Sequence, residues 1–276
     1  MGEYLNVNGQ RTWCEIQGEG EPVVLLHGGG VGADSWYAQI PALAARFRVL
    51  APERRGHGRT PDVEGPVTGD LMAGDLIALL ETLATGPAHL VGWSAGATVA
   101  LRAALRRPDL VRSLVLISGG VSRDGATDAD LAILEDTERL EAMFRPQYEP
   151  LSPDGPGHFP VVFAKWLTMW REEPDIGFEA LAALPMPVLV MQGDDDGVRI
   201  CHSAAVAAAA PRGQLAVLPG TSHTAPLEKP DLVNRLLLDF LTEEHPPARL
   251  FPLGALAAAR SCSGAGQVSG AKGRRP

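Results

Sequence analysis

The chain has 276 residues and a formal net charge of −9, with 45% hydrophobic and 21% charged residues. This length can hold one large domain or two small ones with a buried core, and the composition is ordinary for a globular protein. The negative charge argues against a nucleic-acid partner, which requires a basic face. No apolar run approaches the roughly 20 residues that a membrane-spanning helix needs, so we expect no membrane association.

Cysteine usage and the first residues bear on the compartment. The segment Met1–Asn6 has neither the basic nor the apolar region of a secretory signal. The three cysteines, Cys14, Cys201 and Cys262, are scattered and odd in number. We therefore expect reduced thiols in a cytoplasmic protein. The chain has no metal-ligand spacing of histidines and cysteines, so neither a metal nor an organic cofactor is expected.

The predicted elements alternate along the chain. Asn8-Gly9, between two strand-like runs, predicts a β-hairpin. Six short apolar runs follow: Val23–Leu26, Arg48–Ala51, His89–Val91, Ser113–Ser118, Val188–Gln192 and Leu215–Leu218. Helical stretches lie between or after them: Asp34–Ala45, Asp70–Ala84, Ala95–Arg107, Ser203–Ala210 and Asp231–Glu243. Apolar strands that alternate with helices predict an α/β fold, a mostly parallel, doubly wound sheet with an N-terminal antiparallel hairpin.

One interval interrupts the alternation. Residues 121–184 contain no strand-like run, but they are rich in aromatic residues and hold two helical stretches, Asp128–Met143 and His158–Glu172. Because so long an insertion in a compact domain is commonly functional, we interpret it as a helical cap over a core formed by residues 1–120 and 185–245. Extra helices packed elsewhere on the core are the alternative. Residues 246–276 carry five basic residues and no acidic ones, and their composition predicts a disordered basic tail.

A candidate nucleophile lies between the run His89–Val91 and the helix that follows it. Gly92-Trp93-Ser94-Ala95-Gly96 places a serine at a sharp strand-to-helix turn, where the hydroxyl is lifted clear of the sheet near helix N-terminal amides. Serine needs a base, an acid that orients the base, and donors for the developing oxyanion. In this context Ser94 is the predicted nucleophile.

The first parallel strand ends in His27-Gly28-Gly29-Gly30, a turn that exposes backbone amides. With the residue after the nucleophile, this turn predicts an oxyanion hole formed by the amides of Gly29 and Ala95. A phosphate-binding loop is the competing interpretation. The loop lacks both the Lys-Ser/Thr of a P-loop and the glycine spacing of a dinucleotide site, so we disfavour it.

Among the seven histidines, His223 is the candidate base. It follows the run Leu215–Leu218 by a short loop, at the sheet edge where open α/β folds place their sites. His57, in a turn after another strand, is favoured as structural. The orienting acid is one of the three consecutive aspartates at 194–196, which also follow a strand, and these residues alone do not decide which one; Asp124 is a weaker candidate.

Five stretches together resemble the α/β-hydrolase superfamily: Leu25–Gly29, Arg55–Gly58, Gly92–Gly96, Gly193–Asp196 and Gly220–His223. The chain is most similar to capped bacterial serine esterases and to the cofactor-free haloperoxidase-like (perhydrolase) branch. The resemblance implies that Asp196 is the acid and that His57 is structural. Two departures stand out: Gly197 where many relatives have proline, and a glycine loop without the proline of the peptidases.

We therefore predict an enzyme with a Ser94-Asp196-His223 triad that cleaves a small-molecule ester, thioester or lactone through an acyl-enzyme. The same triad in perhydrolysis, C–C bond hydrolysis or acyl transfer is the alternative, and a non-catalytic small-ligand receptor is a lesser one. The oligomeric state is not predicted. Aromatic side chains are expected to line the pocket, unless they only form the core of the cap: Trp93, Phe144, Phe163, Trp166 and Trp170.

Overall fold

The computed structural model describes residues 2–83 and 86–242, and within them eight strands form one sheet in the order β1-β2-β4-β3-β5-β6-β7-β8. The strands are β1 Gly2–Val7, β2 Gln10–Gln17, β3 Pro22–Leu26, β4 Arg48–Pro52, β5 Ala88–Trp93, β6 Val111–Ile117, β7 Val188–Asp195 and β8 Gly213–Ser222. β2 pairs antiparallel with β1 and with β4, and the remaining neighbours are parallel. The predicted fold class is confirmed.

The predicted hairpin joins β1 to β2, with Val7 opposite Gln10. Asn8 has a φ of +52° and Gly9 a φ of +77°. A two-residue turn whose backbone twist matches the strands requires positive φ at both positions, and asparagine and glycine tolerate it best. The local sequence is therefore sufficient to specify this turn.

Helices cover both faces of the sheet. They are α1 Gln39–Ala44, α2 Gly69–Leu83, α3 Ala95–Arg106, α4 Asp128–Glu135, α5 Thr137–Tyr148, α6 Phe159–Glu172, α7 Phe178–Leu181, α8 Ile200–Ala209, α9 Ala225–Glu228 and α10 Pro230–Thr242. Apolar residues of α2, α3 and α8 form the core on one face, and those of α1 and α10 form it on the other. Burial on both faces explains why the central strands contain almost no polar residues.

Two helix predictions were wrong in detail. The stretch Asp34–Ala45 forms a short 3₁₀ turn and then α1, and Asp128–Met143 forms two helices, α4 and α5. The break falls at Asp136, whose carboxylate accepts a hydrogen bond from the Arg139 amide and caps α5. Capping chemistry thus interrupts a stretch whose hydrophobic periodicity is continuous.

Helices α4 to α7 form the insertion between β6 and β7, and residues of α4, α5 and α6 form a small hydrophobic core of their own. The Asp62 carboxylate, from the loop after β4, accepts hydrogen bonds from Lys165 Nζ at 2.7 Å and His158 Nε2 at 2.9 Å. These polar contacts join the insertion to the sheet domain. The predicted tail, 246–276, lies outside the described residues, and no described helix is long and apolar enough to cross a bilayer.

Candidate active site

Ser94 lies at the junction of β5 and α3 with φ +55° and ψ −123°, a conformation that L-residues rarely adopt. The glycines on either side make the turn possible. A Cβ at Gly92 would lie 2.4 Å from the Gly96 carbonyl oxygen, and one at Gly96 would lie 2.1 Å from the Leu26 oxygen. Because the helix and the strands approach this closely, the glycines two residues before and after Ser94 have a steric origin. Ser94 itself stays half-exposed at the sheet edge.

His223 follows β8 and contacts Ser94 across the sheet edge. Its Nε2 lies 2.9 Å from Ser94 Oγ, and its Nδ1 lies 2.9 Å from Asp196 Oδ1. An ionised carboxylate only accepts, so Nδ1 carries the proton and Nε2 is free to accept the serine proton. The structure thus brings together the three residues that the sequence predicted as nucleophile, base and acid.

Asp196 is the aspartate of the run 194–196 that contacts the histidine. Its side chain is fully buried, whereas Asp194 and Asp195 are exposed. Asp194 instead accepts a hydrogen bond from the Thr221 amide. The weaker candidate, Asp124, lies in a 3₁₀ turn at the start of the insertion.

Ser118, which the sequence analysis did not identify, completes the surroundings of the acid. Its hydroxyl donates to Asp196 Oδ2 at 2.6 Å, and the amides of Gly193 and Val198 donate to the same carboxylate at 3.3 and 3.2 Å. Ser118 also has a positive φ of +51°. Its position directly after β6, at the edge that holds the candidate triad, was the available signal.

The charges of the pair stabilise one another. Burial alone would raise the pKa of Asp196, but the hydrogen bond and charge of His223, with the Ser118 hydroxyl and the Val198 amide, hold that pKa below its usual range. Burial alone would lower the pKa of His223, but Asp196, and the charge of Asp130, raise it above its usual value. Asp196 is therefore ionised at neutral pH.

Asp130, on α4 of the insertion, is a second carboxylate beside the acid. A Cβ at Gly197 would lie 2.6 Å from Asp130 Oδ1. The glycine that departs from the family pattern therefore leaves the space that this carboxylate occupies. The Thr127 amide also donates to the Gly197 carbonyl at 2.8 Å, which fixes the start of α4 against the acid loop.

The glycine loop after β3 faces Ser94. A Cβ at Gly28 would lie 3.7 Å from Ser94 Cβ. Neither the Gly29 nor the Ala95 amide donates a hydrogen bond to another described residue, and Ala95 is the first residue of α3, where an amide has no partner within its helix. Both amides are available to an oxyanion formed on a substrate.

The five aromatic residues predicted for the pocket separate into two groups. Phe144 and Trp170 are half-buried and lie against the glycine loop, within 2.3 and 2.6 Å of Cβ positions built on Gly30 and Gly29. Phe163 and Trp166 are 5% and 1% exposed, in the core of the insertion. The alternative of a purely structural role applies to these two.

For Trp93, the prediction that its side chain lines the pocket is wrong. It is 4% exposed in the core beneath the sheet, where its ring meets Trp36 edge-on at 6.1 Å. Its indole N–H donates to the His223 carbonyl at 2.8 Å. Trp93 therefore supports the histidine loop and does not line a pocket, because its side chain lies on the face of β5 covered by α1 and α10.

Two more histidines lie beneath the loop without titrating at neutral pH. His27 and His57 are fully buried, and burial, reinforced by the charge of Arg54, lowers the pKa of each well below the usual value. The His57 ring stacks on Trp166 at 4.5 Å. Both rings are neutral, and the His57 ring packs within the core. Within the described ranges, no group of three His, Cys, Asp or Glu side chains is placed to hold a metal ion.

Comparison with known proteins places similar chains among hydrolases. Residues 23–236 match the family model described as "Alpha/beta hydrolase family". A 2-hydroxy-6-oxo-6-phenylhexa-2,4-dienoate hydrolase of Burkholderia cepacia is 30% identical over 81% of this chain and 88% of its own. Among solved structures, a meta-cleavage product hydrolase of Pseudomonas fluorescens has a TM-score of 0.75 at 26% identity, covering 87% of this chain and 97% of that one. A thermophilic esterase of Thermogutta terrifontis has a TM-score of 0.69 at 26% identity, covering 87% and 98%.

Proposed function

Because the chain belongs to the alpha/beta hydrolase family, we propose that it is a serine hydrolase that cleaves a small-to-medium carboxylic ester, thioester or lactone. The observation that carries the proposal is the continuous contact from Asp196 through His223 to Ser94, with 2.9 Å at each step. Half-exposed serine and histidine side chains at the edge of the sheet have no structural need for this alignment. The buried, ionised Asp196 holds the ring in the tautomer that leaves Nε2 free to take a proton.

The reaction follows from these positions. Ser94 Oγ attacks the substrate carbonyl carbon while its proton passes to His223 Nε2, and the carbonyl oxygen becomes an oxyanion that accepts hydrogen bonds from the Gly29 and Ala95 amides. The bond from the carbonyl carbon to the leaving-group oxygen, or to the sulfur of a thioester, breaks as His223 returns the proton to that atom. Water, deprotonated by the same nitrogen, then hydrolyses the acyl-enzyme.

The wall of the site supports an apolar substrate group. Phe144 and Trp170 lie over the glycine loop and are half-exposed. Aromatic faces at this place favour a hydrophobic acyl or alcohol group of modest size. When ionised, the Asp130 carboxylate opposes a second carboxylate bound beside the His223 ring, although burial and the charge of Asp196 raise the pKa of Asp130.

A second candidate is C–C bond hydrolysis of a 2-hydroxy-6-oxo-dienoate. It is favoured by the similarity to the Burkholderia hydrolase and to the meta-cleavage product hydrolase. The same serine and histidine would act on a ketone carbonyl instead of an ester carbonyl. The carboxylate of such a substrate is at C1, several bonds from the C6 carbonyl that Ser94 would attack, so Asp130 does not separate the two candidates.

The test combines covalent labelling with turnover. A fluorophosphonate probe should add one adduct to Ser94 in the intact protein, and Ser94→Ala should give neither an adduct nor hydrolysis of p-nitrophenyl esters. A panel from acetate to long acyl chains, assayed beside a dienoate substrate, then separates the two candidates. Full ester turnover by Ser94→Ala, or a wild-type protein without adduct, contradicts the proposal. The cytoplasmic location remains a prediction.

A further inference from the structure

A buried arginine lies beneath the glycine loop. Arg54, two residues after the end of β4, is 6% exposed, and among the described residues its guanidinium has no carboxylate partner. Its Nη2 instead donates to two carbonyl oxygens of the loop, His27 at 2.6 Å and Gly28 at 2.7 Å. The two protons of one nitrogen thus hold two successive peptide groups of the loop.

The His27 ring contributes to the same arrangement. The Arg54 amide, which only donates, lies 3.1 Å from His27 Nε2, so this nitrogen is the acceptor and Nδ1 carries the proton of the neutral ring. His27 Nδ1 lies 2.7 Å from the Gly28 oxygen and donates to it. The Gly28 carbonyl therefore accepts two hydrogen bonds, one of them from a cation.

This carbonyl belongs to the same peptide group as the Gly29 amide. Hydrogen bonds to the oxygen of a peptide group polarise it and strengthen its N–H as a donor, and a charged donor does so most. Burial lowers the pKa of Arg54 to about 9, which leaves the guanidinium charged at neutral pH. A charged guanidinium therefore bonds to the same peptide group that carries the Gly29 N–H, a predicted oxyanion donor.

We propose that Arg54 is a positioning residue of the oxyanion hole, whose buried guanidinium orients the Gly28–Gly29 peptide and strengthens the Gly29 amide as a donor. The inference rests on the proposed hydrolase function. A purely structural role accounts less well for the charge, because an unpaired buried cation costs stability that an apolar side chain of similar volume would not. The cation contributes instead when negative charge develops on the substrate.

The test compares two inhibitors of the same acyl chain. A trifluoromethyl ketone forms a tetrahedral adduct with an oxyanion, whereas the methyl ketone binds without one. Arg54→Met removes the charge, Arg54→Gln keeps a neutral donor, and Arg54→Lys restores a charge. Met72→Leu is the matched control, because Met72 is equally buried beside Arg54 and lies 3.7 Å from Nη1 through its sulfur.

Removal of the charge should lower kcat/KM about tenfold to a hundredfold, somewhat less than the loss of an oxyanion donor itself. The affinity for the trifluoromethyl ketone should fall by the same factor, while the affinity for the methyl ketone and the KM stay constant. Arg54→Lys should recover part of the lost affinity and of the lost kcat/KM. The control should match the wild type. Circular dichroism identifies the folded variants. If Arg54→Met does not fold, the ketone affinities of Arg54→Gln provide the test.

Two results overturn the inference while leaving the proposed function intact. One is a folded Met or Gln variant with a wild-type ratio of the two ketone affinities. The other is an equal loss for both ketones, which indicates a structural role only. A wild-type protein that forms no adduct with the trifluoromethyl ketone or the fluorophosphonate overturns the proposed function, and the inference with it.

Discussion

Replacement of Ser118 isolates the support that the buried acid receives. The Ser118 hydroxyl donates to Asp196 Oδ2 at 2.6 Å, and a hydrogen bond to a charged group contributes about 1.5–3 kcal/mol. Three donors to the carboxylate remain, from His223, Gly193 and Val198. If the loss of this hydrogen bond reduces the stabilisation of the transition state by about 1.4 kcal/mol, Ser118→Ala lowers kcat/KM about tenfold.

A second substitution separates the hydroxyl from the backbone. Ser118 has a φ of +51°, which costs a residue with a Cβ about 1–2 kcal/mol and glycine almost nothing. Ser118→Gly should therefore lose the same activity as Ser118→Ala but unfold with a free energy about 1 kcal/mol higher. Steady-state kinetics on a p-nitrophenyl ester and urea unfolding measure the two quantities. Wild-type kcat/KM in both variants, or activities that follow the two stabilities, would refute the reasoning.

Three further predictions concern the charges around the histidine. Asp130→Asn removes a charge that raises the pKa of His223, so the acidic limb of the kcat/KM profile, which requires a neutral ring, should shift to lower pH; an unchanged limb contradicts this assignment. Gly197→Ala places a Cβ 2.6 Å from Asp130 Oδ1 and should lower kcat/KM severalfold. Adding Asp130→Ala to the same chain should restore kcat/KM, which a double-mutant cycle measures. If it does not, the lost activity comes from a different clash. The pKa of Asp196 is lowered in the folded state, so its contribution to stability is present above the unfolded pKa of about 3.9 and is lost as the pH falls through the folded pKa. Melting curves of Asp196→Asn recorded at several pH values should lack this part of the loss of stability in acid. A pH dependence equal to that of the wild type argues against the ionised pair.

Local patterns in the sequence were sufficient wherever short-range chemistry decides. Asn8-Gly9 specified its hairpin because both residues tolerate positive φ, and the apolar runs specified central strands because burial on both faces excludes polar residues. The glycines around Ser94 indicated a turn that only close packing of helix and strand explains. Periodicity was insufficient at Asp136, where a cap divides one predicted helix into two.

The sequence by itself determined the α/β fold, the positions of Ser94 and His223 on one edge of the sheet, and an acid among three aspartates. The residues alone did not choose among those aspartates, because each follows the same strand and only the family resemblance preferred Asp196. Tertiary structure decided which carboxylate is buried against the ring and which residues assist it. Ser118 lies 78 positions from Asp196, Asp130 lies 93 positions from His223, and Arg54 lies 27 positions from His27. Contacts across such separations depend on how the strands and the insertion pack. Ser118 had a local signal in its position directly after β6, but no local pattern pointed to Asp130 or Arg54.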